Sequence, residues 1–293
     1  MIPVILFIIL FMTGRIFLLG YERVSFKKAG EGQDSLVSTL LLFGIAGILS
    51  LPLLIFYPFP PMVLLMASIS AIIYTFAFII YVYVLSNYEI SLVTPLYNFN
   101  VLFLLLLSIV FLDETFSWFK LAGIILLIYG VSFLDKKQNL GKSIIAIFKN
   151  RGCLLMSLMS LLLAIGRIFD THFVRTGYNP AAYSIAEYTM ISVYLSIIIL
   201  FKHLIKHNVP SPIKIFKKRP KYFILGAFAN GYSYIFLLAV LNFMDVSIAE
   251  PLSMLSVIVS ILLSAWMFRE KIKQRLVGAI IMFIGTVFLI LAI

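Results

Sequence analysis

Apolar runs of about 20 residues follow one another along the whole of this chain, each long enough to cross roughly 30 Å of hydrocarbon as a helix. Of its 293 residues, 62% are hydrophobic and 12% charged. So few charges cannot cover the surface of a water-soluble body of this size. Inside lipid every backbone N–H and C=O must be paired, which leaves bundled helices or a closed barrel. A barrel needs short alternating segments, and those are absent from the sequence. The fold class is an all-α membrane protein.

Ten spans are predicted, near residues 2–22, 35–57, 61–85, 90–112, 118–135, 152–175, 181–204, 221–243, 247–268 and 274–293. Connections such as Tyr57-Pro58-Phe59-Pro60-Pro61 and Asp113-Glu114-Thr115 leave no room for a soluble domain. The longer loops at 23–34, 136–151 and 205–220 have no apolar pattern that would make a core. The N-terminus lacks a basic leader and a small-residue cleavage site, so it is read as the first membrane helix. The lone Cys153 excludes an intrachain disulfide framework.

Gly14-Arg15-Ile16-Phe17 returns as Gly166-Arg167-Ile168-Phe169, 152 residues later. Thr94-Pro95-Leu96 in span 4 matches Glu250-Pro251-Leu252 in span 9 at an offset of 156, and Glu114 matches Glu270 at the same offset. Gly123 and Gly130 in span 5 match Gly278 and Gly285 in span 10 at 155. Ordered matches across five helices mark a duplication. The predicted units are 1–135, a basic linker 136–151, and 152–293. With five spans each, the halves enter the membrane in opposite senses. Ten helices in two inverted repeats is an architecture typical of secondary transporters, with the site near the midplane between the halves.

The net charge of +11 would suggest nucleic acid in a soluble domain. Here the basic residues crowd the loops after spans 1, 5, 7 and 9, while the other face has only Lys120 and Arg175. Such a bias sets topology, and predicts the basic face in the cytoplasm with both termini outside. No nucleic-acid partner is expected. Lys217-Lys218-Arg219, with Lys214 and Lys221, offers contacts to anionic membrane lipid.

The ordered set formed by Pro95-Leu96, Pro251-Leu252, Glu114, Glu270 and the glycines of spans 5 and 10 resembles the drug/metabolite transporter superfamily. The likeness is to its ten-helix members with two EamA-type domains. The resemblance implies export or exchange of amino acids, other metabolites, sugar nucleotides or drugs, without cofactor or ATP. It implies a central cavity formed by spans 1, 3, 4, 6, 8 and 9, with spans 5 and 10 peripheral, in the cell membrane of a prokaryote. Many members of the family have both termini in the cytoplasm, so the charge bias here departs from the family description.

Intramembrane ionisable residues are candidates for function. Arg15 either faces the cavity or snorkels to the interface; its own half has no acidic residue well inside an apolar stretch, and Glu250 is a candidate partner. Arg167 has Asp170 three residues on, on the same helical face, and Glu187 in span 7, so substrate binding and a structural ion pair are both open. His172, with an unperturbed pKa near neutrality, is a candidate for proton coupling or an interfacial hydrogen bonder. Glu250 precedes a proline that breaks the backbone ladder, and would meet a substrate amine, carry a proton or pair with an arginine. Glu114 and Glu270 suit helix-start capping. Tyr74 and Phe78 in span 3 match Asn230 and Tyr234 in span 8, and Tyr97 and Asn100 follow the span 4 kink. They supply the aromatic walls and amides of a small-molecule site, or else helix-packing and interface positions.

No catalytic signature such as HExxH, GxSxG or a Walker sequence is present. His203 and His207 are four apart without further ligands, so no metal is expected. Two arginines favour a solute with a carboxylate or phosphate, and an amino acid or related organic anion is the leading expectation. A multidrug exporter of lipophilic cations, relying on Glu250, and a flippase for a lipid-linked sugar or a scaffold without flux are the alternatives. The paired glycines of spans 5 and 10 predict a close helix contact, within one chain or in a homodimer.

Overall fold

The computed structural model describes residues 2–57, 60–87, 96–134, 150–206, 209–268 and 276–292. Thr94, Pro95, Glu270, His207 and nearly all of the basic linker lie outside the described residues. The described chain is built of helices α1 (Ile2–Gly30), α2 (Ser35–Ser50), α3 (Pro61–Asn87), α4 (Asn100–Phe111), α5 (Trp118–Leu134) and α6 (Arg151–Arg175). They are followed by α7 (Pro180–Lys206), α8 (Pro212–Lys218), α9 (Pro220–Val240), α10 (Val246–Ser253), α11 (Ser256–Phe268) and α12 (Leu276–Ile290). Among the described residues, six helices are long and apolar enough to cross a membrane, and shorter apolar helices lie at Asn100–Phe111, Trp118–Gly130, Val246–Ser260 and Ile280–Ile290.

Local sequence explains where the helices start. Pro61, Pro180, Pro212 and Pro220 each open a helix, where the missing N–H costs nothing and φ is already helical. Asp34 Oδ1 accepts the Val37 N–H at 3.0 Å to cap α2. Asn150 Oδ1 caps α6 through Gly152 N at 2.8 Å and Cys153 N at 3.3 Å. Asn179 Oδ1 caps α7 through Ala181 N and Ala182 N. Just before it, Gly177 takes φ +103 to turn the chain out of α6.

The first helix differs from expectation. Instead of ending at residue 22, α1 runs for 29 residues, roughly 43 Å at 1.5 Å per residue. That exceeds the hydrocarbon thickness. The charges of 23–34 predict a loop, yet residues 23–30 continue the helix, and Glu22 just before them buries its Oε2 in the bundle.

The packing follows the repeat. Helix α1 lies along α9, and α3 lies along α6; exchanging the two halves converts one pair into the other. The pairs α3 with α7 and α9 with α2 are related in the same way. Glycines set the distances. A Cβ on Gly14 would stand 2.7 Å from the Phe236 ring, and one on Gly166 would stand 2.8 Å from the Tyr74 ring. Helices α5 and α12, equivalent in the two halves, pack on each other through Gly123, Gly130 and Gly285, where a Cβ on Gly123 would stand 2.8 Å from the Gly285 carbonyl oxygen. The glycine seam therefore lies within one chain.

Both spans with a Pro-Leu pair are interrupted at equivalent places. Helix α10 stops at Ser253 and α11 starts at Ser256, with Met254 and Leu255 as a turn. In the first half, Asn98 and Phe99 form the turn before α4 starts at Asn100, again 156 residues apart. Around each break the bonds tighten to three-residue spacing: Met254 N to Pro251 O is 2.9 Å, Leu255 N to Leu252 O 3.1 Å, and Phe99 N to Leu96 O 3.2 Å. The break falls three residues after Pro251, which has no N–H to give to the helix ladder.

Candidate functional site

The central group of charges is assembled from α1, α6, α7 and α10, with tyrosines from α3, α7 and α9. Arg15 is 5% exposed and does not snorkel. Its Nε donates to Ser253 Oγ at 2.8 Å, one nitrogen donates to the Ser233 carbonyl at 3.1 Å, and the other to Glu250 Oε2 at 3.1 Å. Two of these acceptors stand at the break between α10 and α11, so the guanidinium ties the interrupted helix to α1.

Glu250 is shared. Its other oxygen, Oε1, lies 2.5 Å from Arg167 Nε. Arg167 also pairs with Asp170 Oδ2 at 3.1 Å, one turn along α6. Its guanidinium carbon sits 5.7 Å from the Tyr74 ring centre and 5.0 Å from that of Tyr234. Desolvated cation–π contacts of this kind are worth about 2 kcal/mol or more, and they fix the plane of the charge. The side chains of Arg167 and Glu250 keep 15% and 10% of their surface accessible; the cluster is buried but not sealed.

Asp170 is fully buried and heavily solvated by side chains. Tyr74 donates to its Oδ2 at 2.5 Å and Tyr183 to its Oδ1 at 3.1 Å. Tyr234 lies 2.8 Å from Oδ2. The same Tyr234 hydroxyl also makes a very short contact with Glu187 Oε2, while Glu187 Oε1 is buried without a hydrogen-bond partner.

Several predicted residues stand apart from this centre. Phe78 packs on Phe43 and Tyr74, and Tyr97 faces Tyr81. Asn100 opens α4 and is half-buried. His172 is exposed on the last turn of α6 with its ring against Phe173. Asn230 faces Glu22, its carbonyl accepts from Tyr188 at 3.3 Å, and its Oδ1 has no partner.

Sequence reasoning missed Glu22, Tyr183, Ser233 and Ser253. Glu22 has a buried, unpartnered Oε2 two turns from Arg15 toward the face with the basic loops, which corrects the expectation that spans 1–5 hold no inward acid. The signal was available in its seven-residue spacing from Arg15, two helical turns on one face. Of the partners of Arg15, Glu250 was legible in the sequence, whereas Ser233 and Ser253 carry no sequence signal.

On the opposite face a second charged group closes over the centre. Glu114 is 6% exposed and caps α10, not a helix of its own half: Oε1 accepts the Val246 N–H at 2.7 Å and Oε2 accepts the Ser247 N–H at 3.2 Å and hydroxyl at 2.5 Å. Arg175 pairs with Glu114 at 3.0 Å. Lys120, whose side chain is wholly buried, pairs with Asp245 at 2.6 Å and donates to the Thr115 carbonyl at 2.9 Å. Glu114 and Lys120 come from the first half and Arg175 and Asp245 from the second. A cleft of about 400 Å³ opens beside them, lined by Glu114, Thr115, Arg175, Asn242 and Asp245. No group of three or more His, Cys, Asp or Glu able to hold a metal is found among the described residues.

Interrupted helices and a buried charged centre between two repeated halves are features of membrane transport proteins. The EamA-like transporter family matches residues 6–134 and 150–291. The chain belongs to that family, is a two-domain member of the drug/metabolite transporter superfamily, and is an integral membrane protein. Among solved structures 27 chains match. One, described only as a crystal structure of a protein, aligns with TM-score 0.74 at 15% identity over 97% of each chain, a likeness of fold. Comparison with curated proteins returns no match.

Proposed function

We propose that this chain is a secondary transporter of a small zwitterionic metabolite of the amino-acid kind, exported or exchanged by alternating access about the Arg15–Glu250–Arg167 centre. The observation that carries the reading is the sharing of Glu250 by two arginines at the break of the span formed by α10 and α11. A zwitterion fits it because a solute carboxylate can take the place of Glu250 on Arg167, while its ammonium takes the place of Arg167 on the carboxylates. A zwitterion carries no net charge, so loading leaves the charge of the low-dielectric centre unchanged. The tyrosines around Arg167 form the walls. Ten spans, both termini outside and a basic cytoplasmic face complete the reading, set in a prokaryotic cell membrane.

A second reading rests on a count. Three carboxylates, Asp170, Glu187 and Glu250, face two arginines, and that surplus also suits a lipophilic cation. A thermal-shift screen of the detergent-purified protein separates the two, since a ligand of the native state raises its apparent stability. Stabilisation by an L-amino acid that is lost in Arg167→Ala is the expected result. Stabilisation by tetraphenylphosphonium alone, lost in Glu250→Gln, overturns it in favour of a cation exporter.

A further inference from the structure

The hydrogen atoms around Tyr234 can be counted. A phenol has one proton to donate, yet the Tyr234 oxygen is within hydrogen-bonding distance of two carboxylate oxygens, Asp170 Oδ2 at 2.8 Å and the closer Glu187 Oε2. If both acids were ionised, one contact would set oxygen lone pairs against each other with no proton between them, in a buried site. One of the two acids must supply a proton.

The surroundings decide which. Asp170 receives the Arg167 guanidinium at 3.1 Å, the Tyr74 hydroxyl at 2.5 Å and the Tyr183 hydroxyl at 3.1 Å. These three donors stabilise an anion. Glu187 is 2% exposed, forms no ion pair with an arginine or lysine among the described residues, and leaves Oε1 without a hydrogen-bond partner among them. The groups facing it are Asp170 and Arg167 on α6, Tyr74 and Ser70 on α3, Tyr234 on α9, and Tyr183 and Tyr188 on its own helix. Helix α2 and the turn at Leu51–Ile55, which also pack against α7, contain no titratable residue.

We infer that Glu187 is an exchangeable-proton site, holding a proton on Oε2 that it donates to Tyr234, which in turn donates to ionised Asp170. With that proton present, Asp170 and Glu250 balance Arg15 and Arg167. Without it, the centre has one negative charge in excess, and Asp170 and Glu187 share the single Tyr234 proton, a match for an ammonium group. Release breaks the Glu187 Oε2–H bond, leaves the electron pair on the carboxylate, and passes the proton to water on whichever face is open. Proton and solute ammonium therefore compete for one place, and exchange of one for the other is the coupling. This coupling rests on the transport reading above; the proton on Glu187 does not.

Infrared difference spectroscopy of the purified protein tests the proton directly. A protonated-carboxyl carbonyl band should be present at neutral pH, lose the Glu187 component in Glu187→Gln, and keep it in Glu22→Gln. Glu187→Gln is isosteric with the protonated acid, so the fold should survive. Asp170→Asn, which frees the Tyr234 proton for Glu187, should move loss of the band to lower pH. A wild-type spectrum without the band, or a Glu187→Gln spectrum identical to wild type, overturns the inference. In proteoliposomes, an outward gradient of an L-amino-acid mixture should drive proton movement in wild type and not in Glu187→Gln. No flux in wild type with the infrared band intact would refute the amino-acid reading and the coupling while leaving the proton site standing.

Discussion

Arg15 and Arg167, the repeated arginines of the two halves, meet on the two oxygens of a single carboxylate, Glu250. The arrangement is not symmetric: the position equivalent to Glu250 in the first half is Thr94, so the second half supplies the counter-charge for both. Removing one partner of a buried ion pair typically costs about 3–5 kcal/mol, because the other charge stays buried and unpaired. Glu250→Gln should therefore lower the thermal unfolding midpoint sharply. The double variant Arg15→Gln/Glu250→Gln should be less damaged than the sum of the single variants, with a coupling of about 0.5–3 kcal/mol. Strict additivity in unfolding measurements would show that the contact carries no energy.

The glycines make a graded test of packing. At Gly123 a methyl group would strike the Gly285 carbonyl at 2.8 Å, and backbone cannot step aside. At Gly44 the nearest atom is Ser192 Oγ at 3.7 Å, an ordinary contact. Overpacking costs roughly 1–3 kcal/mol, whereas alanine in an open helical position gains up to about 1 kcal/mol over glycine. Gly123→Ala should destabilise and Gly44→Ala should be neutral or stabilising. Equal effects in the two would remove the α5–α12 seam from the account.

Much of this was legible in the sequence because lipid imposes a strong rule. The apolar spans, the duplication and the position of Glu250 beside a helix-breaking proline all follow from span length, charge cost and backbone pairing. The arginine partners were legible only in part. Asp170 is close in sequence to Arg167, but Ser253, Ser233 and Tyr183 meet their partners through tertiary packing of helices whose rotation has no local signal. Glu22 was hidden because Arg23, Lys27 and Lys28 made the end of α1 look like a loop. Glu114 had the chemistry of a cap, and only the fold shows that the helix it caps belongs to the other half.

On the basic face, Glu31 joins the end of α1 to the junction of α8 and α9. Arg219 binds its carboxylate at 2.8 Å and Lys28 lies 3.5 Å away. The hydrogen bond from Arg219, and then the charge of Lys28, hold the Glu31 carboxyl below the usual carboxylate range. A group depressed on folding adds stability above its unfolded pKa, and that stability is lost as pH falls through its folded value. Arg219→Gln should thus be less stable than wild type near neutral pH, with the gap closing in acid. The pair is exposed, so added salt should also shrink the gap. Thermal unfolding in detergent across pH and salt checks this, and a gap that widens in acid would contradict it.

Closure of the opposite face depends on Lys120, which is buried from the first half against Asp245 of the second. Asp245→Asn would leave the ammonium with neutral acceptors alone, the Thr115 carbonyl and the new amide oxygen, a loss of about 1–3 kcal/mol for a buried charged donor without its counter-ion. Because Asp245 is about one-third exposed, the lower end of that range is expected. The penalty applies only while the face is closed, since an opened face lets water solvate Lys120. Asp245→Asn should therefore shift the population toward the open form by roughly fivefold for 1 kcal/mol. Cysteine labelling reads this out cleanly, because the native Cys153 is the chain's only cysteine and is buried. A cysteine placed at Ser233, beside Arg15, should react faster with a membrane-impermeant maleimide added on this face in Asp245→Asn than in the parent. Unchanged labelling would mean that the Lys120–Asp245 pair supports the fold without governing access.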